Sequence, residues 1–148
     1  MNVRDCAVEE LLPHAGPMVL LERVTAVAQD TLAAEVIVRA DGMFDNLGTV
    51  PSFVGVEYMA QAIAAWAGYH AKQRGEPVIP GLLLGARQYE SSTPDFLVGE
   101  RLDVAVELVM QSAAGLAVFD CTIRNERVTI SARLTVLTVE SLDSIAPA

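Results

Sequence analysis

Two neighbouring segments near the start of the chain have the residue pattern of β-strands. The first reads MVLLERVTAVAQD and is rich in β-branched and large aliphatic residues. The second reads TLAAEVIVRA, and its apolar residues alternate with polar ones around Glu35. Gln29 and Asp30 fit a turn between the two segments, so the pattern predicts an antiparallel hairpin.

The segment after this hairpin breaks the alternation. It reads ADGMFDNLGTVPS and brings two glycines, an asparagine and a proline close together. Such residues favour turns and interrupt regular structure, so we expect a loop here. Loops of this length often carry function.

The longest apolar segment lies in the middle of the chain. Ser52 is suited to cap a helix, and residues 53–73 can run as one helix until Gly75 and Pro77 end it. Its apolar residues cover nearly every side of the helix instead of one stripe. A helix of this kind is normally enclosed, so we expect the rest of the chain to wrap it.

Four further segments after Pro80 read as strands. They are LLLGARQYES, RLDVAVELVMQ, LAVFDCTIRN and RVTISARLTVLTVE, separated by short turns. The order is therefore two strands, one helix and four strands, without the alternation that a parallel sheet requires. The sequence predicts an α+β fold in which one long helix packs against a curved antiparallel sheet.

The composition narrows the classes of function. The 148 residues suit a single domain spanning residues 1–148, and 52% of them are hydrophobic. Because that fraction is high, we expect a second subunit to cover apolar surface. The formal net charge of −9 argues against nucleic acid and anionic membranes as partners. The N-terminus lacks the apolar run of a secretory signal, which predicts a cytoplasmic location.

Glu57 is the strongest candidate for a working side chain. It lies one turn into the predicted helix, between Val56 and Tyr58, where desolvation is expected to favour its protonated form. A buried carboxyl near a helix N-terminus can act as a general acid or base. The alternative is an exposed acid that complements the helix dipole, and we favour the functional interpretation.

Two neighbours of Glu57 each allow two interpretations. Gly55 either lets a ligand approach the free N–H groups of the first helical turn or permits close packing against a sheet. Gln61, one helical turn beyond Glu57, either holds that carboxylate or a substrate, or is a core amide with partners of its own.

The chain has two histidines. His14 lies in the turn sequence LPHAGPM before the first strand and is either an acid/base partner or a cap of the N-terminal turn. His70 lies near the end of the helix, where we expect it to complement the helix dipole in solvent. The sequence has no paired metal ligands, phosphate loop or nucleophile elbow, so no metal is expected.

The order of these motifs resembles the hotdog-fold β-hydroxyacyl-(acyl carrier protein) dehydratases of the FabA/FabZ type. The resemblance runs from LLPHAGPMVLLERV through PSFVGVEYMAQAIA to VGERLDVAVELV and GLAVFDCTI. The helix motif is the specific part, since an opening proline, an acid and a Met-Ala-Gln run all have counterparts here. More closely, GVEYMAQAIAAWAG is similar to the ApeP-like dehydratase subunits of aryl polyene-type pathways.

The resemblance implies a lyase that converts 3-hydroxyacyl thioesters to trans-2-enoyl thioesters. It implies that Glu57 is the acidic member of the catalytic pair and that the helix start near Gly55 receives the thioester carbonyl. It also implies a homodimer or heterodimer of hotdog subunits, an acyl carrier protein or coenzyme A thioester as partner, and no cofactor besides the pantetheine of the substrate. The residues expected to contact substrate are Pro51, Phe53, Gly55, Val56 and Gln61.

One departure from the family leaves the mechanism open. The family's catalytic histidine comes from a Gly-His-Phe stretch before the helix, whereas the same loop here has no histidine. Either His14 supplies the imidazole as the base, or a partner subunit contributes it, or the chain binds acyl groups without dehydrating them. An acyl thioesterase is a further alternative, because hotdog thioesterases also use a helix carboxylate.

Overall fold

The computed structural model describes residues 3, 6–14, 16–40 and 48–138. Within this part of the chain lie one α-helix and eight β-strands, as well as short 3₁₀ turns. The elements are β1 (Arg23–Val27), β2 (Thr31–Ile37), β3 (Thr49–Pro51), α1 (Gly55–Gln73), β4 (Gly81–Ser91), β5 (Asp95–Leu97), β6 (Arg101–Gln111), β7 (Leu116–Arg124) and β8 (Thr129–Thr138).

Six of the strands form one antiparallel sheet in the order β1-β2-β6-β7-β8-β4. The predicted hairpin is confirmed, with Val24 paired to Ala34 and Val27 to Leu32. The predicted α+β architecture, one long helix against one antiparallel sheet, is confirmed as well. Strand β4 ends the sheet at one side, where its neighbour is β8.

Two short strands were not anticipated from the sequence. β3 and β5 pair with each other as a small second sheet, with Val50 opposite Phe96. β3 lies inside the segment that the sequence predicts as a loop, because its residues find partners on a distant part of the chain. Residues 41–47 of that loop lie outside the described part of the chain.

The start of α1 differs from the prediction and its end agrees with it. The helix begins at Gly55 after a 3₁₀ turn over Ser52–Val54, and the side chain of Ser52 caps neither element. The predicted cap is therefore wrong. At the other end Gly75 adopts φ 71°, and the N–H of Glu76 donates to the Ala71 carbonyl. This left-handed glycine stops the helix as expected.

The helix packs its inner side against β2, β6 and β7. Met59 and Ala62 are fully buried there, together with Phe119 and Ile123 of the sheet. The opposite side behaves differently, because Glu57 and other residues of that side are exposed in the chain. Between Gly55 and Ala71 only Glu57 and Ala67 are exposed, so the prediction that α1 is enclosed on nearly every side is confirmed apart from this gap.

The N-terminal segment covers a third side of α1 and runs in the opposite direction. A Cβ built on Gly68 would lie 1.9 Å from the carbonyl oxygen of Leu11, so the two backbones touch. Further along the segment, Met18 and Leu20 hydrogen-bond to Gln61. His14 lies in sequence between Leu11 and Met18, and it is therefore placed alongside the middle of the helix.

Candidate functional site

Two cavities open on the uncovered side of α1, and Glu57 is the residue that lines both. The β4 cavity, of about 380 Å³, lies between α1, β4, β8 and the N-terminal segment. The β3 cavity, of about 510 Å³, lies between the start of α1, β3, the end of β2 and the segment before β1.

The β4 cavity is mainly apolar, with its polar side chains on two of the walls. Apolar residues come from α1, from the segment entering β4 and from β8, and include Ala60, Ala64, Ala67, Ile79, Leu83 and Val136. Its polar side chains are Glu57, Gln61 and His14. An apolar cleft with a few polar groups is typical of small-molecule sites.

Glu57 is exposed in the chain, which corrects the prediction of a buried carboxyl. Its neighbours Gly55 and Tyr58 are buried, since they turn towards the sheet. The carboxyl points the other way, to the open side of the helix. Apolar neighbours in sequence indicate burial only where the structure covers that side of the helix.

His14 lines the same cavity as Glu57, although 43 positions separate them in sequence. Its Nδ1 atom is buried and has no hydrogen-bond partner in the described part of the chain. A buried polar atom without a partner is rare and calls for an explanation. The residue as a whole is only half-buried, so His14 lines the cavity through atoms other than Nδ1.

Gln61 is a core amide with its own partners, the second of its two predicted interpretations. Its Oε1 accepts a hydrogen bond from the Leu20 N–H at 2.8 Å, and its Nε2 donates to the Met18 carbonyl at 2.6 Å. The residue is 3% exposed. It holds the segment before β1 against α1 and thereby shapes the wall that carries His14.

Gly55 also has its packing interpretation supported. A Cβ built there would lie 2.8 Å from Tyr89 Oη and 2.9 Å from Ile123 Cδ1, so any larger residue would require these side chains to shift. Its N–H donates to the carbonyls of Ser52 and Phe53. Gly55 therefore does not offer its own N–H to a ligand, and the expectation that the helix start near Gly55 receives the thioester carbonyl stays a prediction.

The three remaining residues that were predicted to contact substrate are Phe53, Val56 and Pro51. Phe53 and Val56 line the β3 cavity beside Glu57, and Phe53 is 57% exposed. Pro51 ends β3, opposite Asp95, and is absent from the walls of both cavities. The structure thus brings two of these three residues to a cavity.

A family model for ApeP-like dehydratases matches residues 6–146. The chain belongs to this family. The match spans nearly the whole sequence, so the resemblance predicted from the helix motif is confirmed, and with it the assignment as a dehydratase subunit. A search of curated proteins found no match.

Solved structures agree with the family assignment. The dehydratase heterocomplex ApeI:P from Xenorhabdus doucetiae has 34% identity and a TM-score of 0.84, over 96% of this chain and 98% of that chain. A hypothetical thioesterase with coenzyme A from Streptococcus pneumoniae has 13% identity and a TM-score of 0.60, over 79% and 87%. The uncharacterized protein PH1136 from Pyrococcus horikoshii has 14% identity and a TM-score of 0.64, over 88% and 92%. The last two support the hotdog fold alone, which is confirmed.

The ApeP-like chain has further features at the site that sequence reasoning missed. Arg39 lines the β3 cavity and donates to the Val19 carbonyl. Tyr89 donates to the Ser52 carbonyl, and burial raises the pKa of Tyr89 to about 12. Neither residue belongs to a sequence motif, so the sequence does not indicate that they hydrogen-bond to these distant carbonyls.

His70 is tied to the β1–β2 turn, in contrast to the solvent-facing role expected of it. Its Nε2 lies 3.0 Å from the Ala28 carbonyl, and its ring packs edge-on against Trp66. The Trp66 indole donates to the Gln29 carbonyl of the same turn. His70 therefore holds the far end of the helix, and it is absent from the walls of both cavities.

Two kinds of feature are absent from the described part of the chain. No group of three or more acidic, histidine or cysteine side chains is arranged to hold a metal ion within the described ranges. No helix in that part of the chain is both long and apolar enough to cross a membrane.

Proposed function

We propose that this chain is a subunit of a 3-hydroxyacyl-(acyl carrier protein) dehydratase whose acyl thioester enters the β4 cavity. The observation that carries the proposal is the meeting of His14 and Glu57 on the walls of one mainly apolar cavity. The apolar walls suit an acyl chain, and the two titratable groups suit a proton transfer at its thioester end.

Dehydration requires a base and an acid at adjacent carbons. In our proposal, neutral His14 removes the proton from the α-carbon, and the electron pair of that C–H bond forms the new double bond. The C–O bond at the β-carbon breaks as protonated Glu57 gives its proton to the departing hydroxyl, which leaves as water. His14 ends protonated and Glu57 ionised, and a proton moving from one to the other restores both groups.

The orphaned nitrogen of His14 supports its part in this assignment. Nδ1 is buried and lacks a partner among the described residues, so no hydrogen bond at that atom gives the ring a structural role. A side chain with a purely structural role normally has its buried polar atoms satisfied, as Gln61 does.

We further propose that a second hotdog subunit completes the site, as a homodimer or heterodimer. Glu57 is exposed in the single chain, and Ile79, which lines the β4 cavity with it, is 37% exposed. Covering them would exclude water from the carboxyl and strengthen its interactions. The similarity to the heterocomplex from Xenorhabdus doucetiae favours the same arrangement.

The exposure of Glu57 also favours a second candidate mechanism, in which the partner subunit brings the imidazole. In that case the chain contributes the acid and the acyl cavity, and His14 has a binding role. An acyl carrier protein or coenzyme A would deliver the substrate in either case, and we expect the reaction to take place in the cytoplasm.

A product assay separates these functions. The full chain, alone and mixed with a candidate hotdog partner, is incubated with 3-hydroxyacyl and saturated acyl thioesters. Formation of the enoyl thioester supports the dehydratase, release of free thiol indicates a thioesterase, and no reaction in either mixture contradicts both. A His14→Gln variant that loses all dehydration supports His14 as the base, whereas full activity with the partner present assigns the base to the partner.

A further inference from the structure

Strand β4 carries a local irregularity opposite the start of α1. Its pairing with β8 shifts between Arg87 and Glu90, and Gln88 adopts φ 56° within that shift. Gln88 is the one residue other than glycine with positive φ in the described part of the chain. A left-handed conformation at glutamine is strained, and such strain persists where surrounding contacts hold it in place.

The bulge turns the next residue inward. Tyr89 is half-buried, whereas Gln88 and Glu90 on either side of it are exposed. The Tyr89 hydroxyl donates a hydrogen bond to the Ser52 carbonyl. Ser52 opens the 3₁₀ turn that leads into α1, and its N–H donates to the Pro94 carbonyl at 2.8 Å. Ser52 is therefore held by both its backbone polar groups.

The same hydroxyl also touches the first residue of α1. A Cβ built on Gly55 would lie 2.8 Å from Tyr89 Oη, closer than real side chains approach. Tyr89 thus contacts the helix start at two points, by a hydrogen bond to Ser52 and by packing on Gly55. Burial raises the pKa of Tyr89 to about 12, so the phenol stays a hydrogen-bond donor at neutral pH.

We propose that Tyr89 is a positioning residue that fixes the first turn of α1 and thereby the place where the Glu57 carboxyl meets substrate. Glu57 lies two residues beyond Gly55, in the same turn of the helix. Tyr89 lies on the wall of neither cavity, so it acts through the helix and not by touching substrate. The inference rests on the proposed dehydratase function, since it concerns the acid of that reaction.

The test is the Tyr89→Phe variant of the full chain, assayed with the same partner and 3-hydroxyacyl thioester as the wild type. Removing the hydroxyl leaves the ring in place but frees the helix start, and small displacements of a catalytic group cost rate. We expect kcat to fall about tenfold while KM changes less than about twofold. Amide hydrogen exchange in residues 55–58 should rise, a readout that needs no turnover.

Tyr69→Phe is the matched control. It makes the same chemical change on α1, at a residue that packs against His70 and lines neither cavity. We expect its kcat, KM and first-turn exchange to equal those of the wild type. Unchanged kcat and exchange in Tyr89→Phe would overturn the inference while leaving the dehydratase intact. Absence of turnover by the wild type with every partner would instead contradict the proposed function.

Gly55→Ala tests the same contact from the helix side, and an unchanged kcat in this single variant would also contradict the inference. Gly55→Ala places a methyl group where the Tyr89 hydroxyl lies, so it should also lower kcat. In the Tyr89→Phe background that crowding is partly relieved, and Gly55→Ala should then lower kcat by a smaller factor. Independent, multiplying effects of the two substitutions would contradict the proposed contact.

Discussion

The covered sides of α1 are tightly packed and hydrogen-bonded, whereas its open side is exposed and lined by cavities. On the covered sides the backbone of Gly68 touches Leu11, and Gln61 has both ends of its amide hydrogen-bonded. On the open side Glu57 is exposed, and two cavities lie beside it. The difference separates folding from chemistry within one helix. Substitutions on the covered sides should cost stability, and substitutions on the open side should cost activity.

Gly68→Ala should have the largest effect on stability. The new methyl group would meet the Leu11 carbonyl oxygen at 1.9 Å, and neither a Cβ nor a backbone carbonyl can rotate out of the way. We expect the free energy of unfolding to fall by about 3 kcal/mol or more, measured by denaturant titration. Gly85→Ala is the matched control, because nothing lies within 4 Å of a Cβ there. Equal stability of the two variants would contradict the close contact between the segments.

Gln61→Leu should cost somewhat less. It keeps the approximate size of the side chain but leaves the Leu20 N–H and the Met18 carbonyl without their partner. Two unsatisfied backbone groups should lower the free energy of unfolding by about 2 kcal/mol. Gln73→Leu makes the same change at an exposed position of α1 and should have little effect. If both variants unfold at the same denaturant concentration, the amide of Gln61 has no structural role.

The hydrogen bonds around Glu100, here called the Glu100 clamp, lie away from α1, and their loss should have the smallest effect on stability. Glu100 accepts hydrogen bonds from Arg127 at 2.8 Å, from Asn125 and from the Leu97 N–H. The hydrogen bond from Arg127 is the main cause that lowers the pKa of Glu100 from 4.5 to about 2. The stabilisation is therefore present above pH 4.5 and is lost as the pH falls towards 2.

The clamp is measured by unfolding the protein at several pH values. Because Arg127 is partly open to water, we expect the clamp to contribute only about 1 kcal/mol. Glu100→Gln should remove the part of the pH dependence that lies below pH 4.5 and leave dehydration unchanged. A Glu100→Gln protein with the wild-type pH dependence would show that another group is responsible.

Much of the fold could be predicted because long elements have periodic patterns. The β1–β2 hairpin, the four late strands and the end of α1 at Gly75 followed from alternation and from glycine chemistry. The three-residue strands β3 and β5 are too short to show a period. Ser52 failed as a helix cap because Ser52–Val54 form a 3₁₀ turn and α1 begins only at Gly55.

The sequence identified residues of the candidate site, but it did not predict how buried they are or what they contact. Glu57 and His14 were chosen from residue type and neighbours, and the structure brings them to one cavity. The expected burial of Glu57 was wrong, because a sequence does not tell which side of a helix the sheet covers. Arg39 and Tyr89 owe their positions to contacts with distant carbonyls, which no local pattern announces.

The rate of dehydration by the Glu57→Gln variant tests the central claim most directly. Glutamine keeps the shape of the side chain but has no proton to give to a leaving hydroxyl, and its exposed position should leave the fold unchanged. We expect turnover to fall at least about a hundredfold with an unchanged unfolding midpoint, while Glu107→Gln, on an exposed residue of β6, keeps full activity. Full turnover by Glu57→Gln would remove this carboxyl from the mechanism.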